Sequence, residues 1–326
     1  MAPSIEVVTR EIERKSVFLQ AVQTQLSRVV VGQRYLIDRL LISLMSGGHV
    51  LLEGVPGLAK TTAVKTLASC LSCDFRRIQF TPDLLPADLL GTQIYRPQTG
   101  EFTIRKGPIF SQILLADEIN RAPAKVQSAL LEVMQERQVT IADQTFELGR
   151  PFLVMATQNP IEQEGTYPLP EAQVDRFMFK LKVGYPTRAD EKEIMRRVSA
   201  GLPSVESVAT TQDILSIQDL LHDIHVDERI EDYVVDLVIA TREPKRYGMD
   251  ENLIQFGASP RSSIFLLSAA RAHAVLQGRA FVTPQDVKSI APDVLRHRIL
   301  LSYEAEAENL SSDDIIERLL VKVEVP

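Results

Sequence analysis

The stretch that most constrains this chain is His49-Val50-Leu51-Leu52-Glu53-Gly54-Val55-Pro56-Gly57-Leu58-Ala59-Lys60-Thr61-Thr62. Val50 to Leu52 reads as a short buried strand, and Val64, Leu67, Ala68 and Leu71 recur at helical spacing just beyond. The segment between them, Gly54 to Thr61, is a glycine-containing loop. Strand, loop and helix in that order is what a phosphate-binding loop requires. The loop turns its N–H groups inward, and the helix N-terminus adds partial positive charge. Lys60 then reaches the outer phosphates and the Thr61 hydroxyl holds magnesium, with Gly54, Pro56, Gly57, Leu58, Ala59 and Thr62 lining the same cradle. An ordinary strand-to-helix turn is the competing reading; Gly54, Gly57 and Lys60-Thr61 in register argue against it. Glycine is usual where Ala59 stands. If that position needs a positive φ, alanine costs roughly 1 kcal/mol, which is tolerable.

A second feature fits the same chemistry. Ile113 to Ala116 is an apolar strand running into Asp117-Glu118. Side chains alternate along a strand, so the two carboxylates are expected to diverge, one towards a metal and one towards an attacking water. A strand merely capped by polar residues is common, and the neighbouring phosphate loop is what favours the functional reading. A third strand, Phe152 to Ala156, leads into Thr157-Gln158-Asn159-Pro160. Asn159 is there well placed to touch a γ-phosphate or its water, although Asn-Pro is also a routine turn former.

Around these anchors the chain alternates helices and strands. Ser4–Val29 and Gln33–Met45 carry amphipathic helical stripes. Between them Val29-Val30-Val31-Gly32-Gln33 either closes over a nucleotide base, placing Gln33 in the site, or is a buried turn. Phe75–Phe80 is a strand, and Thr81–Gly91 a loop with two prolines. Gln93–Tyr95 and Phe102–Ile104 form a hairpin about Arg96–Gly100. Ala122–Gln135 is a helix with Pro123 in its first turn and Val126, Ala129, Leu130, Val133 and Met134 on its inner face. Val139, Ile141, Phe146 and Leu148 suggest a second hairpin whose turn lacks glycine. Phe177–Val183 is the last strand. A domain boundary is placed at 184, with 1–184 as an α/β nucleotide-binding domain and 185–326 as a helical domain. The residues after Ser302 read as acidic and weakly helical.

At 326 residues there is room for two cores. A net charge of −7 argues against a broad nucleic-acid footprint. The N-terminal residues show no secretory h-region, and no apolar run approaches the ~20 residues of a membrane span, so a cytoplasmic location is expected. Cys70 and Cys73 form a Cys-x-x-Cys pair at the C-terminal end of the helix after the phosphate loop. There the dipole disfavours a thiolate, and two ligands fall short of a zinc site, so both are read as packing residues. Ser259-Pro260 caps a helix start and puts Arg261 in its first turn, where a cation opposes the macrodipole by ~0.3–1 kcal/mol. A phosphate or a neighbouring carboxylate would offset that.

The chain resembles the MoxR family of AAA+ ATPases. The resemblance is carried by Gly54–Thr61, Ala116-Asp117-Glu118-Ile119-Asn120-Arg121-Ala122-Pro123, Ala156–Pro160, Leu169-Pro170-Glu171-Ala172-Gln173-Val174-Asp175-Arg176-Phe177 and Ala258-Ser259-Pro260-Arg261. It implies an AAA+ P-loop core with a doubly wound parallel five-stranded sheet and a C-terminal all-helical lid. It implies ATP and Mg2+ as cofactors, Lys60 and Thr61 on phosphate and metal, Asp117 supporting the metal and Glu118 polarising water. Asn159 corresponds to the first sensor, Arg176 to an arginine finger entering a neighbouring subunit, and Arg261 to the second sensor. The two hairpins match the helix-2 and pre-sensor-1 inserts, which face a ring pore or a client. Family members form hexamers that mature or activate other proteins, often partners with von Willebrand factor A domains. A magnesium-chelatase-like or nucleic-acid-remodelling motor is the alternative. It gains little from the hairpin charges: Arg96, Arg105 and Lys106 on the first, but Asp143, Glu147 and Arg150 on the second. A non-hydrolysing scaffold should lack Glu118, Asn159 or Arg176, and all three are present.

Overall fold

The computed structural model describes residues 5–54, 60–159, 165–201 and 203–326. Two amphipathic helices come first, α1 (Ile5–Val29) and α2 (Arg34–Met45). Strand β1 (Val50–Glu53), helix α3 (Lys60–Cys70) and strand β2 (Phe75–Gln79) follow. A short helix α4 (Pro86–Leu90) lies within the segment expected to be a loop. Pro86 opens it, and the Asp88 carboxylate accepts the Leu85 N–H at 2.9 Å. Strands β3 (Gly91–Arg96) and β4 (Glu101–Lys106) form the first hairpin, ahead of β5 (Ile113–Asp117). Helix α5 (Ala124–Glu136) begins after Pro123, which stands as its N-cap and not in its first turn.

Strands β6 (Gln138–Ile141) and β7 (Gln144–Glu147) make the second hairpin. Its two-residue turn manages without glycine because Ala142 adopts φ 55°. Strand β8 (Leu153–Gln158), the four-residue helix α6 (Glu171–Val174) and strand β9 (Phe179–Lys182) complete the α/β part.

The central sheet has five strands in the order β2-β5-β8-β1-β9. The pairs β2–β5, β5–β8 and β8–β1 are parallel, with Ala116 opposite Ala156 and Glu53 opposite Gln158. Parallel strands buried on both faces need unbroken apolar runs, and β5 and β8 supply them: Ile113 to Ala116 and Leu153 to Ala156 are fully buried. Strand β2 is an edge strand, which explains its mostly exposed Arg76, Arg77 and Gln79. One core joins the sheet to α5, with Leu51, Leu114, Leu130, Phe152 and Phe177 at its centre.

The chain packs as two compact units. One is Phe18–Phe177 with Leu181–Leu215, and contains most of the sheet together with α7 (Arg188–Ala200). The other is Met1–Val17, Met178–Lys180 and Ser216–Pro326. Helix α8 (Thr211–Leu220) spans the division, and the second unit carries α9 (Glu228–Ala240), α10 (Pro260–Leu276) and α11 (Pro284–Leu295). The start of α11 is held by a capping box between Thr283 and Asp286. The nearly inaccessible Asp286 carboxylate also accepts His273 Nδ1–H at 2.6 Å and Arg279 at 2.8 Å, pinning α10 to α11.

Two expectations for this part are corrected. It is not wholly helical, because Ile254–Phe256 (β10) pairs antiparallel with Leu300–Leu301 (β11). The acidic tail is also firmly helical, as α12 (Tyr303–Ala307) and α13 (Ser312–Lys322). Helix α13 has a Ser311–Asp314 capping box and buries Ile315, Ile316 and Leu319. No helix among the described residues is long and apolar enough to cross a membrane.

Candidate active site

Parallel pairing puts the C-terminal ends of β1, β5 and β8 on one edge of the sheet. Gly54 follows β1, Asp117 and Glu118 end β5, and Asn159 follows β8. In an open α/β sheet that edge is where ligands bind. Gly54 is required by close approach: a Cβ there would lie 2.9 Å from the Val183 carbonyl oxygen and 3.5 Å from Lys60 Nζ. Lys60 opens α3 and donates from Nζ to the Gly54 carbonyl. Burial lowers its pKa, against the opposing attraction of Asp117, Glu118 and Glu53. Thr61 and Thr62 stand half-buried in the same first turn. Pro56, Gly57, Leu58 and Ala59 lie outside the described residues, as does Pro160.

Strand alternation does not set the two carboxylates, which reach Arg77 and Gln79 of the same strand, β2. Strand β5 ends at Asp117, and Glu118 adopts φ 55° and ψ 52° in the left-handed region. A turn, and not strand alternation, separates them. Asp117 Oδ1 accepts the Thr157 hydroxyl at 2.8 Å, and Asp117 Oδ2 accepts Arg77 Nε–H at 2.8 Å. Thr157 Oγ1 in turn accepts the Glu118 backbone N–H at 2.9 Å. Glu118 Oε2 accepts Gln79 Nε2–H at 2.9 Å and lies 3.3 Å from Arg121. Arg77, Gln79, Arg121 and Thr157 thus surround the acidic pair. The one sequence signal for the first two was a strand rich in polar residues.

Gln127 was also missed. It replaces Ala129 on the buried face of α5, and Leu131 joins it there. Asn159 is 9% exposed at the end of the central strand. Gln33 is the N-cap of α2 with no side-chain cap bond, and Gly32 before it has φ 72° with the Asp190 carboxylate packed against it.

His49, immediately before β1, is buried. Its Nδ1 accepts the Val154 N–H at 3.0 Å, so the proton sits on Nε2, facing the Met134 carbonyl at 3.2 Å. Burial holds its pKa down at about 4. Burial likewise pushes the Cys70 and Cys73 thiols up to about 11, the opposite of redox activation.

Arg176 is half-buried just after the turn of α6, its N–H donating to the Gln173 carbonyl at 3.2 Å. In the second unit, Arg261 is the second residue of α10, after Ser259 and Pro260. Three residues that sequence reasoning passed over set that helix start. A Cβ at Gly257 would lie 2.3 Å from the Thr241 carbonyl oxygen. The Thr241 hydroxyl accepts the Ala258 N–H at 2.8 Å, and Arg242 Nε–H donates to the Ala258 carbonyl at 2.6 Å.

Comparison with known proteins agrees with this architecture. Residues 49–179 match the model of the ATPase family associated with various cellular activities (AAA), and residues 248–319 match the AAA lid domain. The chain is 53% identical to chaperone MoxR1 of Mycobacterium tuberculosis over 93% of this chain and 81% of that protein. The chain belongs to the MoxR family of AAA+ ATPases. The chain is also 45% identical to the uncharacterized protein YeaC of Bacillus subtilis over 92% of each chain. A crystal structure of a proposed ATPase from Cytophaga hutchinsonii superposes with a TM-score of 0.92 at 52% identity, covering 98% of both chains. The magnesium-chelatase 38 kDa subunit of Acidiphilium rubrum is a more distant relative, 28% identical over 57% of this chain and 52% of that protein. The AAA+ core with a five-stranded parallel sheet, the helical lid and membership of a chaperone-like ATPase family are therefore findings.

Proposed function

We propose that this chain hydrolyses ATP to ADP and phosphate with Mg2+, in a homo-hexameric ring, to remodel, mature or activate protein clients. The observation that carries the reading is the cluster at the sheet edge. Asp117 and Glu118 are fixed by Thr157, Arg77 and Gln79 beside a half-buried Lys60 that senses both charges. Oxygen donors from Thr61 and Asp117 suit a hard cation such as Mg2+. When bound, it neutralises charge on the phosphates. Lys60 binds the outer phosphates, together with Gly54 and the loop residues Pro56, Gly57, Leu58 and Ala59.

Glu118 orients and polarises the attacking water. Among the described residues, Gln79 and Arg121 engage its Oε2, and Oε1 accepts from that water. Asn159 contacts the γ-phosphate or the water. Arg176 enters the neighbouring subunit's site, Arg261 couples the lid to nucleotide, and Gln33 lies near the base.

Protein clients are favoured over nucleic acid by the first hairpin. Tyr95 and Phe102 form an exposed aromatic pair with ring centroids 5.1 Å apart. Lys106, one of the hairpin's three cations, is sandwiched at 4.7 Å over the Phe110 and Phe146 rings. Such a hairpin suits a protein surface, including partners with von Willebrand factor A domains.

The test separates binding from turnover. Lys60→Ala should lose nucleotide affinity. Glu118→Gln should keep it and lower kcat by about 10²–10⁴-fold, the usual worth of a positioned acid–base group. A Glu118→Gln protein with unchanged steady-state ATPase would sink the assignment.

A further inference from the structure

Gln127 is the polar exception on the inner face of α5. It has no exposed surface and lies among Val126, Leu130 and Leu131. The two N–H groups of its Nε2 are shared among three backbone carbonyls: Ile119 at 3.2 Å, Ala122 at 3.1 Å and Tyr167 at 2.9 Å. Three carbonyl oxygens around one atom decide the amide's orientation, because a flipped amide would set Oε1 against all of them. Among the described residues, none donates a hydrogen bond to its Oε1. Burying a primary amide with its acceptor unsatisfied is unfavourable, so the three donor contacts are what the residue contributes.

Two of those carbonyls belong to the turn that Glu118 begins. Glu118 sits at φ 55°, which a residue with a Cβ rarely adopts. A backbone held there persists only where its surroundings over-determine it. Every carbonyl from Glu118 to Asn120, and that of Ala122, is engaged. Glu118 O accepts the Arg121 N–H at 2.9 Å, and Asn120 O accepts the Tyr167 N–H at 2.6 Å. Ile119 O and Ala122 O are both taken by Gln127. Removing that one side chain leaves two of the four carbonyls without their partner and takes away the side-chain bonds from α5 to the turn.

We propose that Gln127 is a positioning residue for hydrolysis: its buried amide holds the left-handed turn at Glu118, and so the direction of that carboxylate, by bonding Ile119, Ala122 and Tyr167 at once. The proposal rests on the reading of Glu118 as the residue that orients water. A residue that served packing alone would change stability without selecting the chemical step.

The experiment uses Gln127→Met, which keeps the shape and removes the donors, beside Glu118→Gln as a control. The expected result is a kcat lower by about 10–100-fold, the effect of a displacement on the order of 1 Å. KM for ATP and affinity for ADP should stay within about twofold of wild type, the pattern of an interaction lost only in the transition state. Hydrogen exchange should speed up at the Arg121 and Tyr167 amides while the α10 and α11 amides keep their protection. If Gln127→Met does not fold, Gln127→Asn, which keeps the donors on a stem one methylene shorter, is measured in the same way.

Wild-type kcat in a Gln127 variant, with Glu118→Gln inactive, overturns the proposal. So does a general rise in exchange with kcat and affinity falling together. If Glu118→Gln itself turns over normally, the reading of Glu118 fails, and exchange at Arg121 and Tyr167 still decides whether Gln127 holds the turn.

Discussion

The Thr157 hydroxyl donates to Asp117 Oδ1 at 2.8 Å across the β5–β8 pairing. The same oxygen accepts the Glu118 N–H at 2.9 Å, so one buried side chain fixes both members of the acidic pair. Thr157→Val keeps the shape and removes both bonds. It should lower stability by about 1–3 kcal/mol, the cost of leaving a buried polar group unpaired, and reduce ATPase with it. Thr157→Ser keeps the hydroxyl and should restore most of the turnover. Thr157→Val at wild-type activity in a steady-state assay would show that the acidic pair needs no such anchor.

His49 predicts the pH response of the α/β unit. Its folded pKa of about 4 lies below its ordinary 6.5, so the unfolded chain binds more protons between those values. Stability should therefore fall as pH drops from about 6.5 towards 4, by up to ~3 kcal/mol for a shift of this size. Thermal unfolding followed from pH 7.5 to 4.5 would show it. His49→Gln should flatten that slope; an equally steep loss in the variant would assign the effect elsewhere.

Arg176 is predicted to act across a subunit interface. Arg176→Ala should abolish ATPase while leaving nucleotide binding intact, since a finger supplied in trans is worth ~10³–10⁵ in rate. An exposed ion pair would contribute under ~1 kcal/mol. Mixing Arg176→Ala with Glu118→Gln subunits pairs some intact halves, so turnover should reappear. Silence in a mixture whose subunits demonstrably exchange rules out the trans role.

Arg261 stands in the first turn of α10, where the macrodipole disfavours a cation. Arg261→Ala should weaken ATP more than ADP if a γ-phosphate offsets that dipole. Equal losses for both nucleotides, measured by calorimetry, would assign Arg261 to a structural ion pair.

Much of the fold was legible because its signals are local. The apolar runs that became β1, β5 and β8 stand out, and the helical stripe after Lys60 became α3. Hairpin chemistry marked Gln93–Ile104, and Ser259-Pro260 marked the start of α10. The misses have physical causes. Alternation along β5 was extended one residue too far, to Glu118, which left the strand for a left-handed turn. Pairing of Ile254–Phe256 with Leu300–Leu301 joins segments that carry no mutual pattern. The tail after Ser302 looked weak by composition and is a helix because capping and a buried Ile315, Ile316, Leu319 face outweigh its acidity.

The sequence by itself determined which groups are present and where each strand hands over to its loop: Gly54 and Lys60 after β1, Asp117 and Glu118 at the end of β5, Asn159 after β8. Tertiary structure alone decided what holds them. The bonds of Arg77 and Thr157 to Asp117, of Gln79 and Thr157 to Glu118, and of Gln127 to Tyr167 join residues 39 or 40 positions apart. Periodicity and turn chemistry act over a few neighbouring residues. Partners that far apart meet only after parallel strands have taken their register and α5 has packed on the sheet, so a polar residue in an apolar stripe, such as Gln127, acquires its partners only in the folded chain.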